Sequence, residues 1–438
     1  MNLRLNVEEM ARMAGRCDVF RTAGKLHSAR GLLRASIPAF VGETCTVNLA
    51  GKELTAEVVG FDEHESQLMC FDHTTGLQPG LEIVALGRRR SVPVGDGLLG
   101  RVIDGIGRPF DGLGPLRVHR YRAEQASVPD PMIRERISQP LVTGQRIIDG
   151  LLTIGRGQRV GLFAGSGVGK STLMGEIARG AEADVNVICL VGERGREVKP
   201  FIEDCLGEEG MKRSAVVVAT SDQTPLMRIK AVLTAVTIAE DFRDRGAHVL
   251  LFLDSLTRLA MAQRELGLLL GEPPGARGYP PSVQSLMAEV LERLGCGEKG
   301  AITGLITVLV EGDDLDEPVT DTARSILDGH IVLDRKLATQ GQYPAIDVLK
   351  SVSRLFREVT TSAHQQDATK LRSILATWNE VSDMIQLGVY KTGTSATVDR
   401  AVQLMPAIRR FLNQRVHEKS TWQETLEQLE ILGKAWPW

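Results

Sequence analysis

The stretch Arg159-Val-Gly-Leu-Phe-Ala-Gly-Ser-Gly-Val-Gly-Lys-Ser-Thr172 decides how the rest of the 438-residue chain is read. A mainly apolar run of strand texture enters a glycine-rich turn, and a helical run follows. That order is the context in which such a turn cradles phosphate. Glycine lets the backbone come close to an anion and turns successive N–H groups inward. Gly165, Ser166, Gly167, Val168 and Gly169 form the expected cradle. Lys170 brings a cation to the β- and γ-phosphates of a nucleotide, Ser171 offers a hydroxyl to Mg²⁺, and the helix entered through Thr172 turns its positive end to the anion. The strict pattern has glycine where this chain has Ala164. A glycine-rich turn of purely structural origin is the alternative.

Outward from this turn, apolar runs at 185–191, 215–219, 249–253, 302–310 and 331–333 alternate with helical stretches such as Arg228–Arg243, which reads as amphipathic. Strands apolar throughout are buried on both faces, as in a mainly parallel sheet covered by helices, an α/β fold. His248-Val-Leu-Leu-Phe-Leu-Asp254 ends one such strand in a carboxylate. Asp254 is therefore expected at the C-terminal edge of the sheet, where it either holds Mg²⁺ through water or caps the next element. Leu190-Val-Gly-Glu-Arg-Gly-Arg-Glu197 carries Glu193 from a buried strand into a charged turn. ATP hydrolysis needs a carboxylate that orients and polarises water. Glu193 is the candidate, and Glu197, expected to be more exposed, is the alternative. In Gln342-Tyr-Pro-Ala-Ile-Asp-Val-Leu-Lys-Ser-Val-Ser-Arg354, Tyr343 either stacks on a base or fills the core. Arg354 has no evident reason to face a phosphate of its own subunit; across a ring interface it acts as an arginine finger.

Composition removes other classes. The chain is 43% hydrophobic and 24% charged, too apolar for disorder and too charged for a membrane bundle. No window gives a spanning helix, and the first residues lack the apolar core of a secretory signal. A net charge of −3 and 4% aromatics give no general pull toward nucleic acid. Six cysteines without a CxxC pair indicate neither zinc nor disulfides, only buried or indifferent thiols in a reducing cytoplasm.

The expected organisation has four parts. Residues 1–25 form a docking segment with a short amphipathic helix; the first 40 residues carry seven Lys/Arg against three acids. It is either a solvated tail or a contact for a partner or an anionic membrane surface. Residues 26–90 alternate short strands with glycine turns, as in a small β-barrel. Residues 91–355 form the phosphate-loop domain, and 356–438 are helical.

Taken together, 164–172, 192–197, 254–267, 271–283 and 344–354 resemble the rotary ATPase superfamily, and within it the export ATPases of type III secretion and flagellar systems. The resemblance implies a RecA-like ATPase domain between an N-terminal β-barrel and C-terminal helices, assembled as a homohexamer. It implies ATP and Mg²⁺, with Lys170 and Ser171 on phosphate and metal, Glu193 as catalytic carboxylate supported by Arg194, and Asp254 as the Walker B acid. Arg258 lies near the phosphates, Tyr343 packs on adenine, and Arg354 reaches the neighbour's nucleotide. The acidic loop 311–318 is similar to a catch loop for a coiled-coil central stalk. Implied partners are a stator or regulator at the N-terminal segment, export-gate membrane proteins and chaperone–cargo complexes, at the cytoplasmic face of the inner membrane. Hydrolysis would release chaperones or unfold cargo. Leu206–Arg213 and 314–333 look more like the injectisome than the flagellar branch. Rival readings are a proton-translocating synthase subunit, a Rho-like RNA translocase and a non-catalytic nucleotide-binding ring subunit. The translocase reading lacks a stacking surface, since Phe40, Phe61 and Phe71 of the barrel region fall at core-like positions.

Overall fold

Six short strands with alternating burial close on themselves near the start of the chain. They are Thr22–Arg30, Leu32–Ser36, Glu43–Leu49, Lys52–Asp62, Glu65–Cys70 and Glu82–Arg89. All pairs are antiparallel and the first strand also pairs with the last, so the barrel has no open edge. Side chains of one alternation, among them Leu26, Leu33, Val47, Leu54, Val58, Leu68 and Ile83, fill it. Cys45 and Cys70 lie in this filling, and burial pushes both thiols up to about 12. Of the three phenylalanines expected inside, only Phe71 is buried. Phe40 sits in the loop before the third strand, with the Arg89 guanidinium 5.9 Å from its ring, and Phe61 is exposed near the end of the fourth strand. The structure is a computed structural model and describes residues 21–436, apart from 50, 63–64, 126–127, 166 and 311–316. The amphipathic helix expected before residue 20 and most of the acidic loop lie outside the described residues.

The chain divides into two compact units, one ending at Ser91 and one starting at Val92. The second is built on a nine-stranded, mainly parallel sheet. Across it run Val352–Ser353, Gly329–Leu333, Arg159–Ala164, Ala301–Leu309, His248–Asp254, Val185–Glu193, Ser214–Thr220 and Val102–Asp104. Only Val352–Ser353 and the short Gly295–Cys296 run antiparallel. The strands are buried along nearly their whole length, as their unbroken apolar texture requires.

Helices cover both faces. Pro225–Asp244 does not behave as the amphipathic surface helix its sequence suggests: all but two of its residues are buried or nearly so. Its charges are met by partners from distant segments. Lys230 Nζ lies 2.5 Å from Glu124 Oε2, and Glu240 receives two bonds, 2.9 and 2.8 Å, from the Arg293 guanidinium. The last helices, Ser362–Gln386, Ala396–Leu412 and Trp422–Lys434, share one apolar core with the helix that follows the glycine turn. The helix Arg146–Leu151 joins the same core, and Gly150 lets it come close to the Ala396–Leu412 helix, because a Cβ there would stand 3.0 Å from the Phe411 ring. Among the described residues no helix is long and apolar enough to cross a membrane.

Arg293 and Glu240 are 0% and 1% exposed, so removing one partner strands a buried charge. Glu240→Ala is expected to cost about 3–5 kcal/mol, read as a lowered urea midpoint of the second unit. Glu208→Ala, on the surface, should leave that midpoint where it is. Equal midpoints for the two variants would mean the buried pair does not hold the helix.

Candidate active site

The sheet register brings the expected residues to one edge. Ala164 pairs with Leu309 on one side and Leu333 on the other, so the glycine turn leaves the sheet at the C-terminal ends of three parallel strands. Gly167 and Gly169 take φ of +77° and +86°, left-handed values that a side chain would oppose. Ala164, one residue short of the turn, is an ordinary strand residue, so glycine is not needed there. Gly169 caps the helix Lys170–Gly180. Ser166 lies outside the described residues, Val168 is buried, and Ser171 and Thr172 are exposed on the first turn.

Lys170 turns its ammonium to two acids. Its Nζ is 2.5 Å from Asp254 Oδ1 and 3.7 Å from Glu193 Oε1. Asp254 is 3% exposed and ends its strand beside the turn; the peptide bond that follows it is cis. Thr307 Oγ1 donates to the same Asp254 oxygen at 2.7 Å. Thr307 belongs to Ala301–Leu309, the strand between those of the turn and of Asp254. In the sequence it reads as one more β-branched strand residue, and only the strand order reveals its role.

Glu193 leaves its strand half-buried. Burial, then the negative charge of Asp254, raise its carboxyl above the usual carboxylate range, while Lys170 pulls it back. Glu197 is exposed and hydrogen-bonded to Glu193, which raises it further. Arg194 is exposed and reaches Glu197 at 3.1 Å, so its link to Glu193 runs through that second acid. Arg258 packs its stem over Gly192, where a Cβ would stand 3.0 Å away. Among the described residues its Nε has no partner, and Nη1 reaches the Met261 sulfur at 4.0 Å.

Beyond the turn, a cavity of about 240 Å³ is lined by Val168, Gly169, Thr172, Tyr343, Gln414 and Val416 among others. A Cβ at Gly169 would lie 3.6 Å from the Tyr343 ring, so the half-exposed ring overhangs the end of the turn and is not a core tyrosine. Arg354 is elsewhere. Ser353 pairs with Gly329 and Arg354 lies level with Asp328, five residues before Leu333, which places Arg354 about 16 Å down the sheet from the turn. It is exposed, and Nη2 donates to the Arg324 carbonyl at 3.1 Å.

A glycine turn with a lysine and two acids at its rim is equipped to bind a triphosphate and direct water at its end. The donors nearest a metal position, the Ser171 hydroxyl and the Asp254 and Glu193 carboxylates, are hard oxygens of the kind that suits Mg²⁺. Gln414, which walls the cavity from a polar loop late in the chain, gave no signal in the sequence.

Comparison with known proteins agrees with this geometry. Residues 144–353 match the nucleotide-binding domain of the ATP synthase alpha/beta family, and 360–431 match the T3SS EscN ATPase C-terminal domain. The chain is 50% identical to the flagellum-specific ATP synthase of Bacillus subtilis, over 95% of this chain and 96% of that one. It is 48% identical to the type 3 secretion system ATPase of Xanthomonas euvesicatoria, over 94% of each. The assembled ATPase EscN of enteropathogenic E. coli superposes with a TM-score of 0.89 at 43% identity, covering 94% of this chain and all of that one. A second structure holds EscN in complex with its central stalk EscO, with a TM-score of 0.87 at the same identity and coverage. With its barrel, mainly parallel sheet, C-terminal helices and nucleotide-binding turn, this chain belongs to the type III secretion and flagellar export ATPases of the ATP synthase alpha/beta family.

Proposed function

We propose that this ATPase energises type III protein export as a homohexameric ring, releasing chaperones from cargo or unfolding cargo at the export gate. The observation that carries the catalytic part is the Lys170 ammonium set between Asp254 and Glu193 at the mouth of the glycine turn. Gly165–Gly169 wrap the phosphates with backbone N–H groups, and Lys170 holds the β- and γ-phosphates. Glu193 accepts a hydrogen bond from the attacking water and aligns it with the γ-phosphorus. Arg194 acts on Glu193 through Glu197, and Arg258, with its unsatisfied Nε, faces developing charge near Gly192. Ser171 and Asp254 would hold Mg²⁺, with Thr307 fixing the Asp254 carboxylate. When bound, that ion neutralises charge on the phosphate oxygens. Tyr343 stacks on the adenine ring.

Arg354 is assigned to a neighbouring subunit's nucleotide, because its own lies at the other end of the strand. EscN is known in assembled form and with a stalk. By analogy the loop 311–318 meets a coiled-coil stalk and the N-terminal segment meets a stator, at the cytoplasmic face of the inner membrane. Virulence and flagellar relatives stand equally near, at 48% and 50% identity. The injectisome assignment therefore rests on Leu206–Arg213 and 314–333. Co-purification with injectisome rather than flagellar or synthase components tests it.

Glu193→Gln should keep nucleotide binding and lose turnover by about 10²–10⁴, measured as steady-state phosphate release beside a binding titration. Lys170→Ala should weaken binding as well. Full turnover in Glu193→Gln would move the role to another carboxylate.

The acid side of the kcat/KM profile carries the second expectation. Protonated Glu193 has lost the negative charge and basicity that polarise the water, and its neutral form is favoured, so activity should fall as pH drops through a value above the ordinary 4.5. A midpoint at or below 4.5 would contradict the need for ionised Glu193.

The third expectation concerns Arg354. Rings mixed from Arg354→Ala and Lys170→Ala subunits contain interfaces with an intact turn and an intact finger, so activity should partly return. No recovery in mixed rings verified by mass would make Arg354 a packing residue of its own subunit.

A further inference from the structure

The loop 413–420 joins the helices Ala396–Leu412 and Trp422–Lys434 and forms one wall of the cavity beside Tyr343. It holds the tyrosine at both main-chain polar groups. The Gln414 N–H donates to the Tyr343 carbonyl at 2.8 Å, and the Tyr343 N–H donates to Asn413 Oδ1 at 2.9 Å. The Gln414 side chain is itself locked. It is 6% exposed, its Oε1 accepts from the Arg146 N–H at 3.0 Å, and its Nε2 donates to the carbonyls of Gly144 and Glu418 at 2.7 and 2.6 Å. Three of the four bonds an amide can make are therefore filled.

The anchors are rigid in turn. Asp149, fully buried, accepts from the N–H groups of Thr143 and Gly144 at 2.9 and 3.0 Å. On the far side of the loop, the His417 N–H donates to Glu176 Oε1 at 3.1 Å, and Glu176 lies on the helix that follows the glycine turn. His417 takes φ of +67°, a conformation that a residue with a side chain keeps where its surroundings hold it. One loop thus grips both the tyrosine wall and the phosphate-loop helix, and Gln414 is its buried pin.

We propose that Gln414 is a positioning residue for the nucleotide base: it fixes Tyr343 at the depth at which a base stacks, so affinity for the base half of the nucleotide is set from the C-terminal helices. This rests on reading the cavity beside Tyr343 as the base site. The rival account has Gln414 merely tying two segments of the fold together. The two differ in what they do to a ligand that has phosphates and no base. Nothing in the set of bonds around Gln414 touches Lys170, Asp254 or Glu193.

The test uses the full chain, with ATP and inorganic tripolyphosphate as probes. Gln414→Leu keeps the size and removes the bonds. It should raise KM for ATP about tenfold while kcat moves less than about threefold, and it should leave the dissociation constant for tripolyphosphate within about twofold. Equal loss of affinity for both probes, with a lowered melting temperature, would overturn the proposal in favour of the structural account. So would an unchanged KM for ATP.

Tyr343→Ala, measured alongside, separates the two layers. If it binds ATP as well as the parent chain, the base site itself is misread. If it loses ATP affinity while Gln414→Leu does not, only the positioning role fails. The double variant should be no weaker than Tyr343→Ala alone, because the pin acts through the ring. If Gln414→Leu does not fold, Asn413→Ala makes the same comparison from a half-buried position, with an expected rise of about threefold in KM for ATP and none in the constant for tripolyphosphate.

Discussion

Glu193 and Asp254 stand at the mouth of one sheet, close enough that each opposes the other's charge, and a single ammonium answers both. The surrounding architecture is what makes this juxtaposition possible. Two strands must run parallel and adjacent so that their carboxylates emerge at the same edge. A third strand must place Thr307 against one carboxylate so that it keeps its orientation. The glycine turn must then deliver Lys170 from the next strand over. Like charges held in a poorly solvated place are costly unless something cationic shares the space. The same arrangement keeps Glu193 a better proton acceptor than an exposed carboxylate.

What could be read from the sequence was local. Gly165–Thr172 announces itself because backbone freedom, a cation and a hydroxyl fall within a few residues. The apolar strands announce themselves because both faces are covered. What could not be read depends on partners far along the chain. The 225–244 helix carries charges at a surface-like spacing, and nothing nearby shows that Glu124 and Arg293 come to meet Lys230 and Glu240. Those pairings let its charged residues be buried along with its apolar ones. Thr307 and Gln414 were silent for the same reason, since a threonine in a strand and a glutamine in a loop are common residues whose meaning comes from topology. Phe61 misled in the other direction: an aromatic in a strand reads as core, yet it lies outward at the strand's end.

The placement of Arg354 and Arg194 also shows the limit of reading by proximity in sequence. Arg194 adjoins Glu193 in the chain and yet bonds to Glu197, because the residue after a strand end points away from its predecessor. Arg354 follows a strand that runs antiparallel to its neighbours, so the chain has doubled back and carried it from the phosphate edge toward the opposite one.

The closed barrel and the short outer strands of the sheet limit how this chain associates. Around the barrel every strand already has two neighbours. The sheet ends in strands of two and three residues, Val352–Ser353 and Val102–Asp104. The barrel and the main sheet therefore give an incoming strand almost nothing to bond to. Contacts made through these sheets must then be written in side chains and loops, which change residue by residue. Such contacts discriminate between partners in a way that main-chain pairing, common to all sequences, does not. The same economy of edges leaves the barrel and the main sheet little ladder for another chain to extend.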